Sequence, residues 1–145
     1  MSAQMNGDGT EGSQSVVRTG LGVIAIAVIL DVFFVLVFAS SGRSQHGEVS
    51  SIEGTFATAW PFLLALLLSW VLSFAWRRPF AMLRSGLPIW LGTVALGMLF
   101  RVWFTTGGAP LPFVLVATGT LGVSLIGWRA IAALIKVLRS RRKQA

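Results

Sequence analysis

Four long apolar runs, separated by short polar segments, dominate the pattern of this chain. They cover residues 21–39, 56–76, 87–104 and 111–128 and contain 19, 21, 18 and 18 residues. Roughly 20 helical residues cross a hydrocarbon layer of about 30 Å, so each run is long enough to span a bilayer once. The runs are apolar on every face, whereas a barrel strand would alternate in polarity over about 10 residues. The pattern predicts an all-α protein with four transmembrane helices in one bundle.

The segments outside these runs are too short to form a second domain. Residues 1–20 are rich in Gly, Ser and Gln without periodic apolar positions, which is typical of a disordered tail. Residues 129–145 interleave Arg and Lys with apolar positions, which predicts a basic tail along the membrane interface that attracts anionic lipid. A solvated stop-transfer tail is the alternative. We therefore predict one transmembrane domain, 21–128, between two tails.

The distribution of positive charge predicts the orientation. The chain has 12 Lys and Arg against 5 Asp and Glu, with a formal net charge of +7, and such cations collect on the cytoplasmic side of membrane proteins. With the amino terminus inside, ten of the twelve are cytoplasmic: Arg18, Arg77, Arg78, Arg84, Arg129, Lys136, Arg139, Arg141, Arg142 and Lys143. We therefore predict that both termini are cytoplasmic, with Trp128 and Arg129 anchoring the fourth helix at the inner rim. Topology explains the charge, so we expect no nucleic-acid partner.

Asp31 is the acidic residue inside an apolar run, eleventh of 19 positions and so close to the expected midplane. A carboxylate there costs about 2.5 to 3.5 kcal/mol, so Asp31 should face the bundle and find a partner or hold a proton. Arg101, toward the outer end of the third run, is the intramembrane cation, and we predict that the two residues pair. Such a pair could lock the helix register, or the carboxylate could titrate during transport.

A second polar group falls in the predicted outer loop and consists of Arg43, His46, Glu48 and Glu53. His46 with the two glutamates could hold a divalent metal, or His46 could respond to acidification because imidazole titrates near neutrality. We favour an ordinary solvated loop over both alternatives, and we predict no metal and no cofactor.

Small residues at four-residue spacing predict where the helices pack, since lipid gives helices no hydrophobic reason to associate. On the second run these residues are Ala65, Ser69 and Ser73. The corresponding positions are Gly97 on the third run and Gly122 on the fourth.

Several short motifs, in order, resemble a bacterial four-helix membrane family that is catalogued as a domain of unknown function. The residues that carry the resemblance are Gly42-Arg43 with His46-Gly47-Glu48, Ala59-Trp60-Pro61-Phe62, Gly97-Met98 with Arg101, Val116-Ala117-Thr118 and Gly127-Trp128-Arg129. The resemblance covers residues 30–129. It implies a multi-pass protein of the bacterial cytoplasmic membrane and brings no activity, cofactor or catalytic residue.

The chemistry of the chain narrows its function without naming it. The chain has no cysteine, which excludes thiolate nucleophiles and cysteine-based metal centres within it. It has no nucleotide-binding loop, and His46 is its one base near neutral pH, so we predict that it is not an enzyme. The first hypothesis is a small carrier or channel component with Asp31 as its titratable carboxylate. The alternative is a structural or assembly partner, with a second copy or with another membrane protein.

Overall fold

Four long helices make up nearly all of the part of the chain that the computed structural model describes, residues 11–44 and 51–145. The helices are α1 (Glu11–Ser44), α2 (Ile52–Leu72), α3 (Leu87–Phe104) and α4 (Leu111–Gln144), with a 3₁₀ turn at Ala75–Arg77 and a π-helical turn at Met82–Gly86. No strand occurs in these two described ranges. Each long helix contains a segment long and apolar enough to cross a membrane. The predicted all-α class with four helices is confirmed.

The helices begin and end at positions that differ in part from the apolar runs. α3 has the predicted bounds, whereas α1 begins at Glu11 inside the predicted disordered tail, and α4 continues to Gln144 through the predicted interfacial tail. Residues 1–10 lie outside the described residues. Apolar runs mark only the part of a helix that meets lipid, while an established helix extends with one backbone hydrogen bond for each added residue.

The second helix is displaced toward the amino terminus relative to its run. It begins at Ile52 because Ser51 caps it: the Ser51 hydroxyl accepts a hydrogen bond from the Gly54 N–H at 3.1 Å. It ends at Leu72, and Phe74 then has a left-handed backbone with φ of 50°. The chain turns there into the α2–α3 connection, residues 73–86, which was predicted to be helical as far as Trp76.

Small residues allow the helices to approach closely. A Cβ atom at Gly97 on α3 would lie 2.8 Å from Cε1 of Phe62 on α2, and one at Gly122 on α4 would lie 2.9 Å from Trp90. Ala65 and Ser69 of α2 are buried, and Ser73 is partly buried. The predicted packing residues of α2, α3 and α4 therefore lie between helices or close to them.

One end of the bundle carries most of the described positive charge, and we call it the basic end. It consists of the α2–α3 connection and the part of α4 after Arg129. Its exposed cations are Arg77, Arg78, Arg84, Lys136, Arg139, Arg141, Arg142 and Lys143.

Candidate functional site: a buried ion pair at the basic end

Asp31 of α1 and Arg129 of α4 form a buried bidentate ion pair. The Nη1 group of Arg129 donates to Oδ1 of Asp31 at 2.8 Å, and its Nη2 group donates to Oδ2 at 2.7 Å. Both side chains are 0% exposed. The fork of a guanidinium matches the two oxygens of a carboxylate, which makes this geometry both strong and directional. The pair therefore connects the first and last helices of the chain.

Two tryptophans complete the coordination of Asp31. The indole N–H of Trp70 on α2 donates to Oδ2 at 2.9 Å, and that of Trp128 on α4 donates to Oδ1 at 2.8 Å. With the two bonds from Arg129, each carboxylate oxygen accepts two hydrogen bonds. An ionised carboxylate offers about four acceptor positions, so this site is complementary to the charged form of Asp31 and satisfies it fully.

Arg129 is held on its other sides by backbone. Its Nε–H donates to the carbonyl of Pro79 in the α2–α3 connection at 3.0 Å, and Nη1 also donates to the carbonyl of Leu125 at 2.7 Å. Its guanidinium carbon lies 4.4 Å from the centre of the Trp128 ring. Gly86 leaves room for the stem, because a Cβ atom there would be 3.0 Å from Cδ of Arg129. The connection thus closes over the cation.

The ion pair lies level with the carboxyl end of α2 and the amino end of α3, and about midway along α1 and α4. Trp70 is close to the carboxyl end of α2, Gly86 immediately precedes α3, and Arg129 is about midway along α4. Eighteen residues separate Trp70 from the start of α2, Gly86 from the end of α3, and Arg129 from the start of α4. At 1.5 Å per residue this is about 27 Å. This distance is nearly the full hydrocarbon thickness of about 30 Å. Asp31 itself lies at the centre of the apolar segment of α1, Gly20–Gly42, so its midplane depth stays a prediction.

Arg101 is not the partner of Asp31, which corrects the predicted pair. Its Nε–H donates to the carbonyl of Gly108 at 2.8 Å, and its guanidinium carbon lies 4.2 Å from the centre of the Phe113 ring. Arg101 is fifteen residues along α3 from Gly86, a helical distance of about 22 Å. No arginine stem reaches that far, so this residue joins α3 to the start of α4 at the other end of the bundle.

Arg129 was predicted to anchor the fourth helix at the rim, and the structure buries it instead. The nearby Trp128 is partly buried, with its N–H turned inward to Asp31. Sequence reasoning also missed Trp70, the Pro79 carbonyl and Gly86. A tryptophan deep in an apolar run needs a partner for its N–H, and Trp70 therefore carried a signal for a buried acceptor.

The predicted outer-loop cluster is only partly covered by the structure. Arg43, His46 and Glu48 lie outside the residues whose side chains are described. Glu53 is exposed in the first turn of α2, where a negative charge is favourable beside the amino-terminal end of the helix dipole. At this position its charge stabilises the start of α2, while Ser51 is the capping residue.

The fold and the ion pair together define the class of protein: a multi-pass helical membrane protein with its first and last helices joined by a satisfied buried charge pair. The chain belongs to the family described as "Protein of unknown function (DUF3054)", whose model matches residues 28–132. That region contains both Asp31 and Arg129. No curated protein and no solved structure matches the chain.

Thr93 is a polar residue inside the bundle that the ion pair does not use. It is 0% exposed, and its Oγ1 has no hydrogen-bond partner among the residues that the structure describes. A buried hydroxyl without a partner destabilises the fold by about 1 to 3 kcal/mol.

We expect Thr93→Val to raise the free energy of unfolding by about 1 kcal/mol, since the substitution removes the unsatisfied hydroxyl and keeps the shape. Titration with SDS in mixed micelles measures this quantity. The matched control is Thr118→Val, which removes a hydroxyl that donates to the Val114 carbonyl at 2.7 Å. Equal destabilisation by both substitutions would show that Thr93 has a partner.

Proposed function

We propose that this chain is a non-enzymatic structural or assembly component of the bacterial cytoplasmic membrane, with both termini in the cytoplasm. The observation that carries the proposal is the saturation of Asp31 by four N–H donors. The carboxylate joins α1 to the end of α2 and to α4, and Arg129 adds the α2–α3 connection through the Pro79 carbonyl. The orientation is supported by the concentration of exposed cations at the basic end.

A proton-coupled carrier needs an acidic group that exchanges its proton or its solute during each cycle. Asp31 and Arg129 are both 0% exposed, and every acceptor position of the carboxylate is filled. Releasing Asp31 from this site would break four hydrogen bonds and leave Arg129 unpaired in a buried position, which is costly. The carrier hypothesis, which the sequence alone favours, therefore has less support from this geometry than the assembly hypothesis.

We expect that the wild-type protein does not transport protons across a membrane. Reconstituted into vesicles that contain pyranine, it should dissipate an imposed pH gradient no faster than protein-free vesicles. Because the carrier hypothesis assigns the proton to Asp31, the second sample is Asp31→Asn, with folding checked by circular dichroism. A wild-type flux that the folded Asp31→Asn protein lacks would overturn the proposal.

The assembly half of the proposal has its own measurement. After gentle extraction and chemical cross-linking in native membranes, the chain should be recovered in a complex larger than one copy. Recovery as a single copy under all extraction conditions would contradict an assembly role and leave only a self-contained structural one.

A further inference from the structure

α4 extends well beyond the ion pair and is amphipathic there. Residues 130–144 continue the helix for fifteen residues, about 22 Å, past Arg129. Ile131, Leu134 and Leu138 are 61%, 57% and 53% exposed along one face. Their spacing of three and four residues places them on a single helical stripe. Apolar side chains at this spacing need a covering that is not water.

A groove lined by cations lies on another side of the helix, because Lys136 and Leu134 are about 160° apart around its axis. It has a volume of about 360 Å³, and we call it the basic groove; its described lining is Ala132, Ile135, Lys136, Arg139, Ser140 and Lys143. Lys136, Arg139 and Lys143 are three and four residues apart, so their charges lie on the same face of the helix. The groove therefore combines three cations and a hydroxyl with an apolar floor.

The charge of the basic groove is not neutralised by the described parts of the chain. The carboxylate side chains that the structure describes are Asp31, which is bound to Arg129, and Glu53, which lies at the start of α2. An anion from outside the chain fits this charge.

The basic groove follows shortly after the fourth apolar run, 111–128. Lys136 lies seven residues past Arg129, about 10 Å along the helix, and Arg139 lies about 15 Å along it. Cations that flank a membrane span usually meet the lipid headgroups.

We propose that the basic groove binds the phosphate headgroup of an anionic phospholipid. Lys136, Arg139 and Lys143 hold the phosphate oxygens. An acyl chain of the same lipid lies along the apolar floor of the groove at Ala132 and Ile135. Charge complementarity selects an anionic over a zwitterionic headgroup, and the apolar floor of the groove selects a lipid over a soluble phosphate.

The test uses the full-length protein in neutral detergent with added phosphatidylglycerol or phosphatidylcholine. Native mass spectrometry counts bound lipids, and thermal unfolding measures stabilisation. The groove variant is Arg139→Gln with Lys143→Gln. The matched control is Arg141→Gln with Arg142→Gln, which removes the same charge at the same level but from other faces of the helix. All four residues are exposed, and circular dichroism verifies that both variants fold.

Phosphatidylglycerol should bind and stabilise the wild type more than phosphatidylcholine does. At about tenfold in affinity for each 1.4 kcal/mol and about 1 kcal/mol for each cation, the groove variant should bind phosphatidylglycerol about thirtyfold more weakly. The control variant should bind phosphatidylglycerol only a few-fold more weakly than the wild type does. Equal weakening in both variants would overturn the site in favour of a diffuse attraction to the membrane surface. Equal stabilisation by phosphatidylcholine, or by soluble glycerol phosphate in place of lipid, would overturn the anionic lipid as ligand.

Discussion

Replacing Arg129 with glutamine should lower the free energy of unfolding by about 3 to 5 kcal/mol, the largest effect that we expect of any single substitution. The change leaves Asp31 charged and 0% exposed without its cation, and breaking a buried pair from one side has this cost. It also removes the hydrogen bond to the Pro79 carbonyl that fixes the α2–α3 connection on α4. SDS titration in mixed micelles measures the loss.

Two comparisons separate the ion pair from a general effect of losing an arginine. The double variant, Asp31→Asn with Arg129→Gln, should lose much less free energy of unfolding than the two single variants lose together. The reason is that the double variant has no unpaired buried charge. Arg101→Gln removes a similar side chain from the opposite end of the bundle and should cost about 1 kcal/mol, the value of one ordinary hydrogen bond. Additive losses at Asp31 and Arg129 would show that the two residues do not act as a pair.

The helices could be predicted from the sequence because hydrocarbon imposes one length and one polarity on every span. The importance of Asp31 could be predicted for the same reason, since a carboxylate in an apolar run must be shielded. The partner of Asp31 could not be predicted, because the position of a residue within its apolar run does not tell which part of a neighbouring helix it meets. The twenty residues of α1 that precede Asp31 lie on its basic-end side, whereas α2 ends two residues after Trp70.

Arg129 illustrates a second limit. It follows the last apolar residue of its run, where arginines usually reach into the headgroups, so its sequence position indicated an anchor. Only the fold of the α2–α3 connection changes this environment, by placing the Pro79 carbonyl and Gly86 over the side chain. That connection contains a left-handed Phe74 and a π-helical turn. The spacing of apolar residues carries no signal for either.

The second large effect is expected at Gly97, where α2 and α3 pack most tightly around a large side chain. A methyl group there would overlap the ring of Phe62 and lie 2.8 Å from its Cε1. Phe62 is 0% exposed and packs at 5.3 Å, between ring centres, against Phe38 of α1. The ring has no free space to enter, so Gly97→Ala should destabilise the bundle by about 1 to 3 kcal/mol, the usual cost of overpacking.

Gly119→Ala is the matched control, because a Cβ atom at Gly119 of α4 would meet nothing within 4 Å. This change should be neutral or stabilising by up to about 1 kcal/mol, the difference in helix propensity between the two residues. A smaller side chain in place of the Phe62 ring should also relieve the clash. Phe62→Leu combined with Gly97→Ala should cost less than the sum of the separate changes when both are measured by SDS titration. If Gly97→Ala were as harmless as Gly119→Ala, α3 would not lie against Phe62, and the packing of α2 on α3 would need to be revised.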